Sequence, residues 1–411
     1  MTEIDPSPEE PRRSPYQIGP GLLVTAAFIG PGTVVTASQA GAQFGCGLLW
    51  TIVFAVFGTI VLQSLAARVG IAAGTGLSES IRQTFLDSRW LRPSIALIIA
   101  AIGVGNTAYQ TGNLTGAVAG ITSILGGDPR WWIVALVVAT SVMIGWGRYR
   151  VLHHALVAMV CGLSLSFLVA ASRSLPAASE IINGLVPRVA GDSLSSVVAL
   201  IGTTIVPYNL FLHASAAAKN YRHADQKRAL RHVDWDTTLA VGLGGIVTAA
   251  ILLTAATAFH ARGQAWTSVE QISQQLGPAL GSFGGHAFAL GLFAAGLTSS
   301  ITAPLATAYA VCGALGWRAE PKSRRFRWIA VGVILLGGVT AIGFGKSPLR
   351  TIQFAQIANG LLLPFIACFL LFLANRRRDD FAFSSWRIGC AVLVVTAVSL
   401  LGLWKVAVVF L

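Results

Sequence analysis

Acidic residues are scarce in this chain and are kept out of its apolar stretches. Charged residues make up 11% of the 411, and none of the sixteen Asp and Glu falls within a long hydrophobic run. A soluble globular protein carries about twice that charged fraction. The five cysteines (Cys46, Cys161, Cys312, Cys368, Cys390) form no CxxC pair and no His/Cys cluster. They read as small buried hydrophobes, which excludes a disulfide framework or a structural metal site. His153, His154, His213, His260 and His286 lack metal-ligand spacing. No polar segment is long enough for a soluble domain, and no nucleophile–base pair lies in the apolar sequence, so neither an enzyme nor a cofactor is implied.

What is present is hydrophobic: 54% of residues, with a mean hydropathy of +0.69. Repeated apolar stretches of about 20 residues indicate membrane helices. Eleven can be drawn, at 18–41, 46–73, 94–125, 131–147, 151–172, 196–218, 237–260, 283–316, 326–345, 349–374 and 386–411. The net charge of +13 would suggest nucleic acid in a soluble protein, but here Lys and Arg sit in short loops. The loops holding Arg82, Arg89 and Arg92; Arg148 and Arg150; Lys219 to Arg231; Arg318 to Arg325; and Arg376 to Arg378 are basic, and those between them are poorer. The positive-inside rule then puts the N-terminus in the cytoplasm and the C-terminus outside, in a multi-pass plasma (inner) membrane protein. Residues 1–16, rich in Pro, Glu, Arg and Ser without a signal-peptide pattern, read as a disordered cytoplasmic tail, and 17–411 as a single transmembrane domain. The polar stretch from Lys219 to Asp236 reads as a cytosolic amphipathic linker.

The first span is interrupted by Gly30-Pro31-Gly32-Thr33 and the sixth by Val206-Pro207-Tyr208. Each opens a group of five spans, and an odd number of spans inverts the second group. This predicts an inverted 5+5 repeat (repeat one 18–172, repeat two 196–374) with 386–411 as an extra helix. Broken helices at membrane depth leave backbone groups that need a partner, and transporters bind solutes there.

Several stretches resemble the NRAMP family of divalent-metal transporters. They include Gly19-Pro20-Gly21 through Gly30-Pro31-Gly32-Thr33 to Gln39-Ala40-Gly41-Ala42, Leu62 to Gly70, Val206-Pro207-Tyr208-Asn209-Leu210-Phe211-Leu212-His213, and Ala294 to Thr302. The resemblance covers nearly the whole chain in order and implies an all-α, LeuT-type fold of eleven transmembrane helices with helices 1 and 6 broken. The family's functional residues do not carry over. Its metal-binding Asp falls on Gly30, its Asn on Thr33, its thioether Met on Val206 and a nearby His on Tyr208. Acids of its third helix fall on Asn106 and Tyr109, and its eighth-helix Gln on Thr298. His213 and Gln356 are kept.

A soft metal prefers sulfur or imidazole, and Mg²⁺ or Ca²⁺ prefers oxygen, usually with carboxylate. Helix N-termini beyond Pro31 and Pro207 attract anions through free N–H groups and the macrodipole. The expectation is therefore a secondary transporter of a small inorganic anion, bicarbonate first, similar to an NRAMP-related bicarbonate branch. Substrate would be bound by Gly30, Pro31, Gly32, Thr33, Thr203, Thr204, Val206, Pro207, Tyr208, Asn209 and Gln356. Anion uptake against the potential needs a coupled cation. Na⁺ at Thr298 and Ser299 is favoured over H⁺ through His213. Alternatives are a divalent cation (Mg²⁺ or Mn²⁺) transporter of the NRAMP type, a neutral-solute transporter and a non-transporting sensor. Bland roles stand beside these: membrane Thr often bonds its own i−4 carbonyl, and Asn106 or Gln356 can simply bridge helices. Membrane lipid surrounds such a chain; no nucleic-acid or protein partner is implied.

Overall fold

The computed structural model describes residues 29–146, 150–189, 191–222, 224–264, 266, 268–344, 347–376 and 384–410. Among these every regular element is helical. In chain order they are α1 (Pro31–Phe44), α2 (Leu49–Ala73), α3 (Leu77–Thr84), α4 (Leu91–Leu125), α5 (Pro129–Trp146), α6 (Arg150–Arg173), α7 (Ala178–Gly184), α8 (Leu194–Thr204), α9 (Pro207–Asn220), α10 (Gln226–Ala258), α11 (Gly284–Leu315), α12 (Arg324–Phe344), α13 (Pro348–Arg376) and α14 (Ser385–Phe410). Three short 3-10 turns and one further helical turn, Gly277–Leu280, join α10 to α11.

Ten spans among the described residues are long and apolar enough to cross a membrane, with α8 and α9 together forming one of them. The count differs from the expected eleven because the first expected span, 18–41, is described only from Ile29 onward. The expected tail, 1–16, lies outside the described residues. One boundary is corrected outright. The stretch read as a linker is helical from Gln226, because the Asp225 carboxylate accepts the Arg228 N–H at 3.0 Å and caps the new helix.

Burial orders the bundle. In the most apolar 18-residue stretch of the α8–α9 span 94% of residues are buried, against 22% in α5, so α8 and α9 run through the middle and α5 lies at the periphery. With little hydrophobic drive between helices inside a bilayer, close backbone approach supplies the packing. α1 lies against α8, α10 and α13, and α4 packs along α11. A side chain at Gly41 would place its Cβ 2.1 Å from the Leu252 carbonyl oxygen, so only glycine lets α1 touch α10 there.

Candidate functional site

Proline makes the break within the central span. The residue before a proline is pushed out of the helical region, and proline has no N–H for the helical ladder. Val206 is accordingly extended (φ −82°, ψ 120°) between α8 and Pro207, the first residue of α9. The Asn209 N–H closes on the Val206 carbonyl at 3.1 Å. The Thr204 carbonyl, at the end of α8, accepts the Thr59 hydroxyl of α2 at 3.2 Å. Gly30 has the same extended geometry (φ −91°, ψ 176°) ahead of Pro31, and the Val34 N–H reaches back to its carbonyl at 3.2 Å.

The start of α1 and the end of α8 meet: Thr33 Oγ1 and Thr203 Oγ1 are 3.1 Å apart. Three more helices close around them. A Cβ added at Gly30 would lie 3.1 Å from Ser299 Oγ of α11 and 3.5 Å from the Tyr109 hydroxyl of α4. At Gly32 it would lie 2.2 Å from Gln356 Nε2 of α13, so the bare backbone of Gly32 is what lets that amide lie across the first turn of α1. Pro31 packs on Gly116 of α4. The Tyr109 and Tyr208 rings stand 5.3 Å apart, tilted by 59°, in one buried group with Val206, Ala303 and Ala306.

The polar atoms here are neutral. The hydroxyl of Ser299, Oε1 of Gln356 and both amide atoms of Asn209 are buried without closing a hydrogen bond, while the Tyr109 and Tyr208 hydroxyls lie within each other's reach. Each such group costs about 1–3 kcal/mol when left unmatched. Their concentration near the two breaks suits a polar guest. Among the described residues no three of His, Cys, Asp and Glu converge. The site offers hydroxyl, amide and carbonyl groups alone.

The structure thus brings Gly30, Pro31, Gly32, Thr33, Thr203, Gln356 and Ser299 to one place, with Val206, Pro207 and Tyr208 at the adjoining break. Two expected residues turn elsewhere. Thr204 donates its hydroxyl to Leu200 O at 2.8 Å, and Thr298 donates to Ala294 O at 2.7 Å, each one turn back along its own helix. His213 faces α10, its Nε2 3.0 Å from Thr237 Oγ1. Asn106 bridges helices, donating to Thr307 Oγ1 at 2.6 Å. Tyr109, read from the sequence only as the place of a family acid, was left out of the expected binding set. It shares a helical face with Asn106 and Asn113, and that spacing was the available signal.

Comparison with known proteins decides the family. The profile described as "Natural resistance-associated macrophage protein-like" (Nramp) matches residues 21–408. The chain belongs to the Nramp family.

Curated Nramp relatives include the divalent metal cation transporter MntH of Xanthomonas campestris pv. campestris, 30% identical over 411 residues and covering 95% of this chain and 90% of the relative. That of Xylella fastidiosa is 30% identical over 365 residues, covering 86% and 76%. Among solved structures, the manganese transporter of Eremococcus coleocola superposes with a TM-score of 0.75 at 23% identity, covering 94% of this chain and 85% of that one. Mhp1, a nucleobase-cation-symport-1 family transporter, gives 0.60 at 14% identity, covering 94% and 91%. The fold is therefore the all-α, multi-spanning LeuT/Nramp type, and this Nramp chain is a multi-pass membrane transport protein, not an enzyme.

These relatives correct the expectation of a bicarbonate-type branch, of an inorganic anion as substrate and of Na⁺ as coupling ion. The physical reason is that a helix break has two polarities. It exposes carbonyls at the end of one half-helix as well as amides at the start of the next, and hydroxyls serve either sign. The absence of carboxylates does not by itself select an anion.

Proposed function

We propose that this Nramp chain moves a divalent metal cation across the membrane by alternating access. The observation that carries the reading is membership of a family whose curated relatives, 30% identical along nearly the whole chain, are divalent metal cation transporters. The cation would sit between the breaks, facing the hydroxyls of Ser299, Tyr109 and Tyr208, the Thr33–Thr203 pair, the Gln356 and Asn209 amides and the backbone of Gly30, Gly32 and Val206 to Pro207. Without a carboxylate, full dehydration of the ion is too costly, so it keeps several waters and binds neutral oxygens through them, as Mg²⁺ does. Mn²⁺ is accepted by the same oxygen donors.

No coupling ion is needed for inward movement. A potential of 100 mV, negative inside, drives a divalent cation with ~4.6 kcal/mol, twice the value for one charge. The reading includes an eleventh helix at the start of the chain, 18–41, broken at Gly30-Pro31. It includes the 5+5 repeat, 18–172 against 196–374, with 386–411 appended, and a cytoplasmic N-terminus with the C-terminus outside. Basic loops support that orientation.

The test is influx of Mg²⁺ and Mn²⁺ into liposomes holding purified protein under an inside-negative potential. Influx of either ion above protein-free vesicles, lowered by Tyr208→Phe or Ser299→Ala, is expected. Gly30→Asp places a carboxylate beside Ser299 and Tyr109 and is expected to tighten Mn²⁺ binding by roughly tenfold, about 1.4 kcal/mol. No influx above protein-free vesicles overturns the proposal.

A further inference from the structure

A groove of about 870 Å³, remote in composition from the helix breaks, is bounded by the α3–α4 connection, α4, α13 and the second half of α14. It exists because two facing positions lack bulk. Pro364 sits inside α13, and a Cβ on Gly402 of α14 would meet only the Pro364 ring, at 3.7 Å. Phe85 forms one wall, stacked on Phe372 with centroids 5.5 Å apart and set edge-on to Phe369 at 6.4 Å. From Leu361 to Arg376 the lining of α13 extends for about 22 Å at helical rise.

The two ends differ. Leu361, Phe365, Leu403 and Val406 are apolar, whereas Arg376 lines the opposite end with Ser88 and Trp90. Ser88 Oγ accepts the Trp90 N–H at 3.2 Å, which leaves its hydroxyl hydrogen to donate outward. The Arg89 guanidinium lies 5.7 Å from the Trp90 ring centroid. At this end Arg376, with Arg89 and Arg92 flanking the Trp90 position, outnumbers the single acid Asp87.

We propose that the groove holds one anionic phospholipid, its acyl chain along the Leu361–Phe372 wall and its phosphate at Arg376 and Ser88. Hydrocarbon contact cannot select this lipid, since bilayer tails are as apolar as the groove. Selection comes from the charged end. A guanidinium pairs with phosphate through two parallel N–H donors, and Trp90 has the amphipathic ring that settles at headgroup depth. The excess of Arg over Asp sets the sign.

The experiment reads bound phospholipid by mass spectrometry after reconstitution in nanodiscs of phosphatidylcholine with phosphatidylglycerol. Wild type is expected to enrich the anionic lipid about fivefold over the bulk, the effect of one Arg at a lipid surface. Arg376→Gln, at an exposed position that does not endanger folding, is expected to abolish the enrichment. Gly402→Phe fills the groove and is expected to reduce retention of both lipids. Added inorganic phosphate is expected not to displace the lipid. Equal retention of the two lipids by wild type, an unchanged enrichment in Arg376→Gln, displacement by inorganic phosphate, or a stable dimer that covers the groove would each overturn the proposal.

Discussion

Thr33 and Thr203, 170 positions apart, place their hydroxyl oxygens 3.1 Å from each other and so join the first turn of α1 to the last turn of α8. Both side chains are buried, and the contact ties together the two places where the backbone leaves helical geometry. Under the proposed alternating access one repeat rocks against the other, and a contact between α1 and α8 is expected to hold one conformation against the other.

Replacing Thr203 with Val keeps the shape and removes the hydroxyl. The expected loss is ~0.6–1 kcal/mol, in the range of interhelical hydrogen bonds in membranes. The double variant Thr33→Val/Thr203→Val is expected to cost less than the sum of the two single changes, as read from thermal unfolding in detergent. Strict additivity would mean that the two hydroxyls do not interact.

Gly32 and Gln356 compete for one volume. Gly32→Ala puts a methyl group 2.2 Å from Gln356 Nε2, and the end of that flexible side chain must move. Metal influx by Gly32→Ala is expected to fall by roughly tenfold, since a small misplacement in a site costs that much or more. Gln356→Ala in the same chain is expected to relieve the clash and recover the thermal stability, though not the full flux. An unaltered influx in Gly32→Ala would show that the Gln356 amide takes no part in the site.

Asp234 of α10 joins two arginines. Its carboxylate accepts from Arg68 of α2 at 2.6 Å and from Arg387 of α14 at 2.8 Å. The Arg68 side chain is only 9% exposed, against 35% for Arg387, so the first pair lies in the less screened setting. Asp234→Asn removes the negative charge that the two arginines share and is expected to cost more than the loss of Arg387. Arg387→Gln is expected to cost about 1 kcal/mol or less. Thermal unfolding of the two variants checks the order, and equal losses would contradict it.

Glu79 of α3 carries a pH dependence. Its carboxylate is pressed against Gly76 and Gly313, and removal from water raises its pKa above the ordinary value, while its own backbone N–H and Lys219 pull partway back. Folding therefore favours the protonated acid. That contribution is complete below the unfolded pKa and is lost as the pH rises through the folded one. Glu79→Gln, always neutral, is expected to gain melting temperature relative to wild type on the alkaline side, with the gap closing in acid. Melting curves from about pH 4 to about pH 8 bracket the transition. A gap that stays constant across that range would rule the titration out.

Length and hydropathy were enough to mark the ten spans seen among the described residues, because a bilayer core about 30 Å thick demands runs of about 20 apolar residues wherever a helix crosses. Val206-Pro207 was legible as a break because proline acts on its immediate neighbour through local sterics. The start of α10 was misjudged: a polar surface helix carries no hydropathy signal, and its cap at Asp225 spans only three residues. The substrate class was misjudged for a different reason. Identifying which acids are absent gives the charge of the side chains but not the direction in which carbonyls and hydroxyls point.

Sequence by itself determined that this chain is helical, spans a membrane many times and is interrupted before Pro207, all consequences of local chemistry and of bilayer thickness. Only the tertiary structure decided that Tyr109 faces Gly30, that Gln356 lies across Gly32, and that Thr204 and Thr298 spend their hydroxyl protons on their own helices. Those outcomes depend on helix rotation and on approaches set by backbone contact between residues far apart in the chain, and hydropathy carries no record of either.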